Sequence, residues 1–195
     1  MDEFQFPKIH SFPPMYTKQP NSTILQNQLD SWSDLILSYC QYYKITRLSL
    51  TGSILYSQHE DLNVDKLPPL FDNTYINRSV NDEFKSSIFQ HMIHKLHVAD
   101  YLNSKRPEAG IFIYWRSLSE WGNIIYDYVE KTGQLGSVLT IYELTKSEDS
   151  ILNDSLKNLD YELLERVLKK VLVKQGKAQV LMNEEGTQIG GVKIV

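Results

Sequence analysis

The sequence predicts a helix-rich α+β protein made of two tandem domains of one design. Apolar residues recur at helical spacing in several stretches, and short β-branched runs fall between and after them. One aromatic and aliphatic pattern also occurs twice. Leu29, Trp32, Leu35, Ile36 and Tyr39 return as Leu118, Trp121, Ile124, Ile125 and Tyr128, each displaced by 89 positions. Aligned tryptophans and tyrosines at one offset argue for an internal repeat rather than two unrelated amphipathic helices.

In the first half, Asn21 and Ser22 offer an N-cap, and the stripe Leu25, Leu29, Trp32, Leu35, Ile36, Tyr39, Cys40, Tyr43 predicts a helix of about six turns. Leu48 to Leu50 is a short strand. Thr51 to Tyr75 is the least regular part of the chain and reads as a surface loop leading into a helical turn at Leu70 to Asn73. A second helix is expected from about Asn77 to His94, with Val80, Phe84, Ile88, Met92 and Leu96 on one stripe. Val98, Tyr101 and Leu102 then pair with Ile111 to Trp115 in a hairpin, with Pro107 and Gly110 in its turn.

The second half repeats the order. Leu118 to Lys131 is a helix stopped by Gly133, and Ser137 to Thr140 is a strand. Ile141 to Leu144 is a short helix, and Ser147 to Asp154 a polar linker. Asp160 caps a helix whose stripe is Leu163, Leu164, Val167, Leu168 and Val171. Ala178, Val180, Met182 and Ile189, Val192, Ile194 form a closing hairpin. Helix, strand, helical element, helix, hairpin is the order of a winged helix. The domains are therefore read as 22–116 and 117–195, after an N-terminal arm at 1–21. With no Gly/Ser or Pro-rich linker between them, a rigid pair is expected.

Composition narrows the function. Net charge is -4 with a pI near 5.7, so no global basic field favours nucleic acid or anionic lipid. The lone Cys40 lies on the first helix's apolar stripe and reads as a core residue. No apolar run approaches the ~20 residues that a membrane span needs, and no secretory pattern opens the chain, so a reducing, cytoplasmic setting is expected. His91, His94 and His97 are the only histidine cluster. Carboxylates and cysteines do not join them in sequence, so they are read as solvated rather than metal-binding. No phosphate loop, nucleophile elbow or zinc-protease motif occurs, and neither enzyme activity nor a cofactor is expected.

The arm is the unusual feature. Pro13 and Pro14 stiffen it, and Phe12, Met15 and Tyr16 put three large side chains on a segment with no sequence-local partner. Two readings stay open: the arm inserts into a partner's groove, or it folds back as a cover on its own domain. Lacking a counterpart before Leu118, it is read as surplus to what a winged helix needs to fold. Unpartnered, such an arm would also favour self-association of the isolated chain.

Four stretches carry a family resemblance: Phe12 to Asn21; Pro69 to Asn73; Tyr114, Trp115, Arg116 with Glu120, Trp121, Gly122; and Ser137 to Leu144. In these the chain resembles the vacuolar protein sorting-associated protein 25 family, the small subunit of the endosomal sorting complex ESCRT-II. The resemblance implies a non-catalytic tandem winged-helix protein, two copies per complex with one copy of each of two larger subunits. It implies that the arm docks on the larger subunits through Phe12, Pro13, Pro14 and Tyr16. It also implies that the second winged helix recruits an ESCRT-III subunit during multivesicular body sorting, with the complex recruited to the endosomal membrane. The loop Thr51 to Pro68 matches nothing in the family and reads as lineage-specific. For the ESCRT-III contact, the basic face with Arg166, Lys169 and Lys170 is the candidate, since an acidic helix would be steered by positive charge. Two other classes stay in view: a nucleic-acid-binding winged helix and a ligand for WW domains through Pro13, Pro14, Met15, Tyr16.

Overall fold

The computed structural model describes residues 3–151 and 153–195. The chain divides into two compact units, Met1–Trp115 and Arg116–Val195. In the first, Asn21 accepts hydrogen bonds from the backbone N–H groups of Thr23 and Ile24 and so starts α1, Ser22–Tyr42. Trp32, Leu35, Ile36, Tyr39 and Cys40 form its buried stripe. Lys44, with φ of 50°, ends the helical path, and β1 follows at Ile45–Leu48, slightly earlier than the sequence suggests. Ile45 and Leu48, both fully buried, fix that register.

The segment read as an irregular loop is more ordered than expected. It holds β2, Ile54–Ser57, a 3-10 turn at Val64–Lys66, and a two-residue ladder of β3, Asp72–Asn73, with β4, Arg78–Ser79. No helical turn forms at Leu70 to Asn73. Leu70 and Phe71 are instead buried in extended chain, and the Phe71 ring lies 5.6 Å from that of Trp32. The Tyr39 hydroxyl pins the segment by donating to the Pro68 carbonyl at 2.9 Å. α2 runs Asp82–His94, capped by Asn81 rather than starting at Asn77, because Asn77 takes φ of 51° in the β3–β4 turn. β5, Ala99–Tyr101, and β6, Ile111–Ile113, complete an antiparallel sheet of order β2-β1-β6-β5.

The second unit follows the expected order closely. A reciprocal capping box between Ser117 and Glu120 begins α3, Leu118–Lys131. β7 is Val138–Leu139, and a second such box, Thr140 with Glu143, begins α4, Ile141–Thr145. The polar linker contains a further short helix, α5, at Glu148–Ile151. The Asp160 side chain accepts from the Glu162 N–H to start α6, Tyr161–Val167, which widens into a π turn over Leu168–Leu172. β8, Ala178–Met182, and β9, Ile189–Ile194, then give a sheet of order β7-β9-β8. Each unit is a winged helix: a helical layer closed by a sheet whose last two strands form a hairpin. The first carries β2 as an added edge strand and the irregular 58–71 segment where the second has α4.

The turn into β2 shows how tightly this added piece is fitted. Gly52 has φ of +90°, and a Cβ there would sit 2.5 Å from the Phe71 ring. Gly52→Ala should therefore lose roughly 1–3 kcal/mol from strain and overpacking together. A urea melt checks this; an unchanged midpoint would contradict the close approach.

Candidate partner-binding surfaces

The arm is built from two 3-10 turns, Lys8–Ser11 and Pro13–Tyr16. It belongs to the first unit, and it is not surplus. Met15 and Tyr16 are each only 4 % exposed and belong to the same core cluster as Trp32. Tyr16 meets the Trp32 ring edge-on at 5.5 Å, and its hydroxyl donates to the His10 carbonyl at 2.7 Å. Tyr16 is therefore no exposed anchor but a core residue of its own domain.

Two side chains on α1 hold the arm down. Trp32 donates its Nε1–H to the Met15 carbonyl at 2.8 Å. Gln28, buried one turn earlier, directs Nε2 at the Pro14, Met15 and Thr17 carbonyls at 3.1, 3.1 and 2.8 Å, while its Oε1 accepts from the Gln19 N–H. The Pro14 carbonyl also accepts from the Thr17 N–H, while the Met15 and Thr17 carbonyls take their donors from the helix beneath them. Gln28 carries a sequence signal that hydrophobic periodicity does not register: an amide one turn before Trp32, beside the apolar stripe.

His10 and Asn73 fasten the other flank. The buried His10 ring stacks on Phe6 at 3.9 Å, its Nε2 lies 3.2 Å from the Leu70 carbonyl, and Asn73 Nδ2 lies 3.4 Å from its Nδ1. That network assigns a neutral ring, Nε2–H donating and Nδ1 accepting. Asn73 also donates to the His10 carbonyl at 3.0 Å, and its Oδ1 accepts from the Tyr75 N–H. With Met15 and Tyr16 turned inward, Pro13, Pro14 and Phe12 face outward, Phe12 being 57 % exposed. Beside them a cleft of about 330 Å3 opens between the arm and the first turns of α1.

In the second unit, Arg166 lies in α6 and Lys169 and Lys170 in the π turn, both lysines exposed. The structure brings the three onto one short stretch, with Lys169 already paired to Glu165 at 2.6 Å. His91 corrects the solvated reading of the histidines: it is buried, with Nε2 2.7 Å from Asp30 Oδ1, tying α2 to α1. Among the described residues no group of three His, Cys, Asp or Glu side chains could hold a metal ion. Cys40 is fully buried, and burial raises its thiol pKa far above the ordinary range.

The arm's packing sets a pH window. Burial lowers the His10 pKa below 6.5, with the Leu70 contact opposing it, so His10 contributes stability that is full above pH 6.5 and lost as pH falls below it. Burial pushes the Tyr16 phenol up to about 12, with Asn73 opposing it and Asp72 adding to it. That contribution is full below pH 10 and lost as pH rises toward 12. Stability followed by denaturant melts across pH should fall at both ends. Tyr16→Phe should reduce the alkaline loss, which the raised Tyr39 and Tyr43 phenols share, and His10→Asn should reduce the acid loss, which the lowered Glu120 and Glu143 carboxyls share; profiles identical to wild type would contradict this packing.

Comparison with known proteins agrees with this architecture. A family model described as ESCRT-II complex subunit matches residues 9–160. Vacuolar protein-sorting-associated protein 25 of Saccharomyces cerevisiae is 30% identical over 201 residues, covering 97% of this chain and 98% of the yeast protein. The Homo sapiens protein of that name is 31% identical over 183 residues, covering 94% of each. A crystal structure of subunit VPS25 of the endosomal trafficking complex ESCRT-II superposes with a TM-score of 0.79 at 32% identity, covering 97% of this chain and 98% of that one. A family model spanning most of the chain, relatives of 30–31% identity over nearly its whole length and a VPS25 structure superposing on 97% of it place this chain in the ESCRT-II complex subunit family, alongside the vacuolar protein-sorting-associated 25 proteins.

Proposed function

We propose that this chain is the non-catalytic small subunit of an ESCRT-II complex, held to two larger subunits through the outward face of its arm. A crystallised relative comes from an endosomal complex of VPS22, VPS25 and VPS36, and the larger partners proposed here are of the VPS22 and VPS36 kinds. The observation that carries the reading is the arm's preorganisation. Gln28, Trp32 and Asn73 order it within the free chain, leaving Phe12, Pro13 and Pro14 as a stiff outward ridge. A ridge already in its bound shape gives up little entropy on docking.

The same packing argues against a WW-domain ligand. Those grooves read proline and tyrosine together, and here the tyrosine of Pro13, Pro14, Met15, Tyr16 is 4 % exposed with its hydroxyl engaged. Nucleic-acid binding has little to draw on, because the chain is acidic overall. The proposal extends to the second unit, which would recruit an ESCRT-III subunit through Arg166, Lys169 and Lys170. A surface pair such as Lys169 with Glu165 is worth only ~0–1 kcal/mol, so an acidic helix can displace it. Among the described residues no helix is long and apolar enough to cross a membrane, and the chain would reach the endosomal surface from the cytoplasm as part of the complex.

Co-expression with the two larger subunits, followed by size-exclusion chromatography, tests the arm. Phe12→Ala with Pro14→Ala should weaken assembly by roughly 30-fold, the scale of an aromatic hot spot, while the melting temperature changes little. Unchanged co-elution would remove the arm from the assembly interface. Charge reversal at Arg166, Lys169 and Lys170 should abolish pull-down of the ESCRT-III subunit, and retained binding would move that contact elsewhere.

A further inference from the structure

A cleft lies beside the arm, between it and the first turns of α1. Phe12 and Pro14 form one wall and Ile24, in the first turn of α1, contributes to the other; Met15 and Gln28 also line it. Phe12 and Ile24, 57 % and 54 % exposed, both line it, so the cleft presents apolar surface from the arm and from α1. The walls are rigid on both sides, because Gln28 fastens the arm's carbonyls to the same helix that carries Ile24.

We infer that this cleft is a receptor: it takes an apolar side chain inserted by one of the larger ESCRT-II subunits. Arm and partner would thus interlock, each presenting a groove to the other. The inference rests on the proposed docking of the arm and adds α1 to that surface. The occupant follows from the lining. No charged residue lines the cleft, so an inserted charge would lose its water without gaining a counter-ion. Its volume of about 330 Å3 is at the small end for a ligand pocket and suits one aromatic or long aliphatic side chain rather than a cofactor. Continuity with Phe12 and Pro14, the outward residues of the arm, assigns it to whichever chain covers the arm.

Ile24→Glu tests this in the full-length chain. Ile24 is the third helical residue after the Asn21 cap, where glutamate is favourable to helix formation, so the variant should fold with an unchanged or slightly raised melting temperature. Its carboxylate would sit at the mouth of the cleft and should weaken co-elution with the larger subunits at least tenfold. Ile24→Met should restore it. If Ile24→Glu assembles like wild type while Phe12→Ala with Pro14→Ala does not, the receptor role is overturned and arm docking stands. Should both variants assemble normally, arm docking and the receptor role fall together. If sedimentation shows the isolated chain self-associating, and Ile24→Glu abolishes only that, the cleft belongs to a second copy and the inference is overturned.

Discussion

The first domain depends on one satisfied set of hydrogen bonds: the donors that Gln28 and Trp32 offer to the carbonyls of the arm. The 3-10 turn at Pro13–Tyr16 satisfies only part of its own backbone, through Met15 N–H to the Phe12 carbonyl and Thr17 N–H to the Pro14 carbonyl, and burying the remaining carbonyls without donors would cost about 1–3 kcal/mol each. Gln28 and Trp32 remove that cost by lying one turn apart on the helix the arm crosses. Everything else about the arm follows from it. Met15 and Tyr16 turn inward onto Trp32, Asn73 and His10 lock the flank, and Phe12, Pro13 and Pro14 are left facing out. The residues that stabilise the domain and those available to a partner are thus neighbours in sequence but opposite in direction.

The repeat shows how one design is finished in two ways. Trp32 and Trp121 are equivalent and both buried, yet their covers differ. Tyr16 and the arm close over Trp32, whereas the Arg116 guanidinium lies 4.4 Å from the Trp121 ring centroid, a cation–π contact from the residue just before the α3 cap. The second domain's own irregularity is the π turn at Leu168–Leu172, which carries Lys169 and Lys170 outward while Leu168, Val171 and Leu172 stay buried.

Strong periodic signals were legible and irregular ones were not. The stripes of α1, α3 and α6 and their caps at Asn21, Ser117 and Asp160 could be read because each cap and stripe is local in sequence. β2 escaped notice because Ile54 and Leu55 sit in a Ser- and Gly-containing stretch on a sheet edge, where half-exposed residues show no clean alternation. The expected helical turn at Leu70 to Asn73 failed because tertiary burial of Phe71 against Trp32 outweighed local propensity. For the site, sequence located the arm but could not orient it. Which of Phe12, Met15 and Tyr16 points inward is decided by Gln28 and Asn73, the latter 57 residues beyond Tyr16, and spacing within the arm carries no trace of either.

The arm is an ordered part of the first domain before any partner binds. Amide hydrogen exchange on the isolated chain tests it most directly. The account predicts that the Met15, Thr17 and Gln19 amides, hydrogen-bonded to Phe12, Pro14 and Gln28, exchange far more slowly than in an unstructured peptide. Exchange at peptide-like rates across residues 13–19, with α1 still protected, would show an arm that becomes ordered only on assembly and would contradict the account.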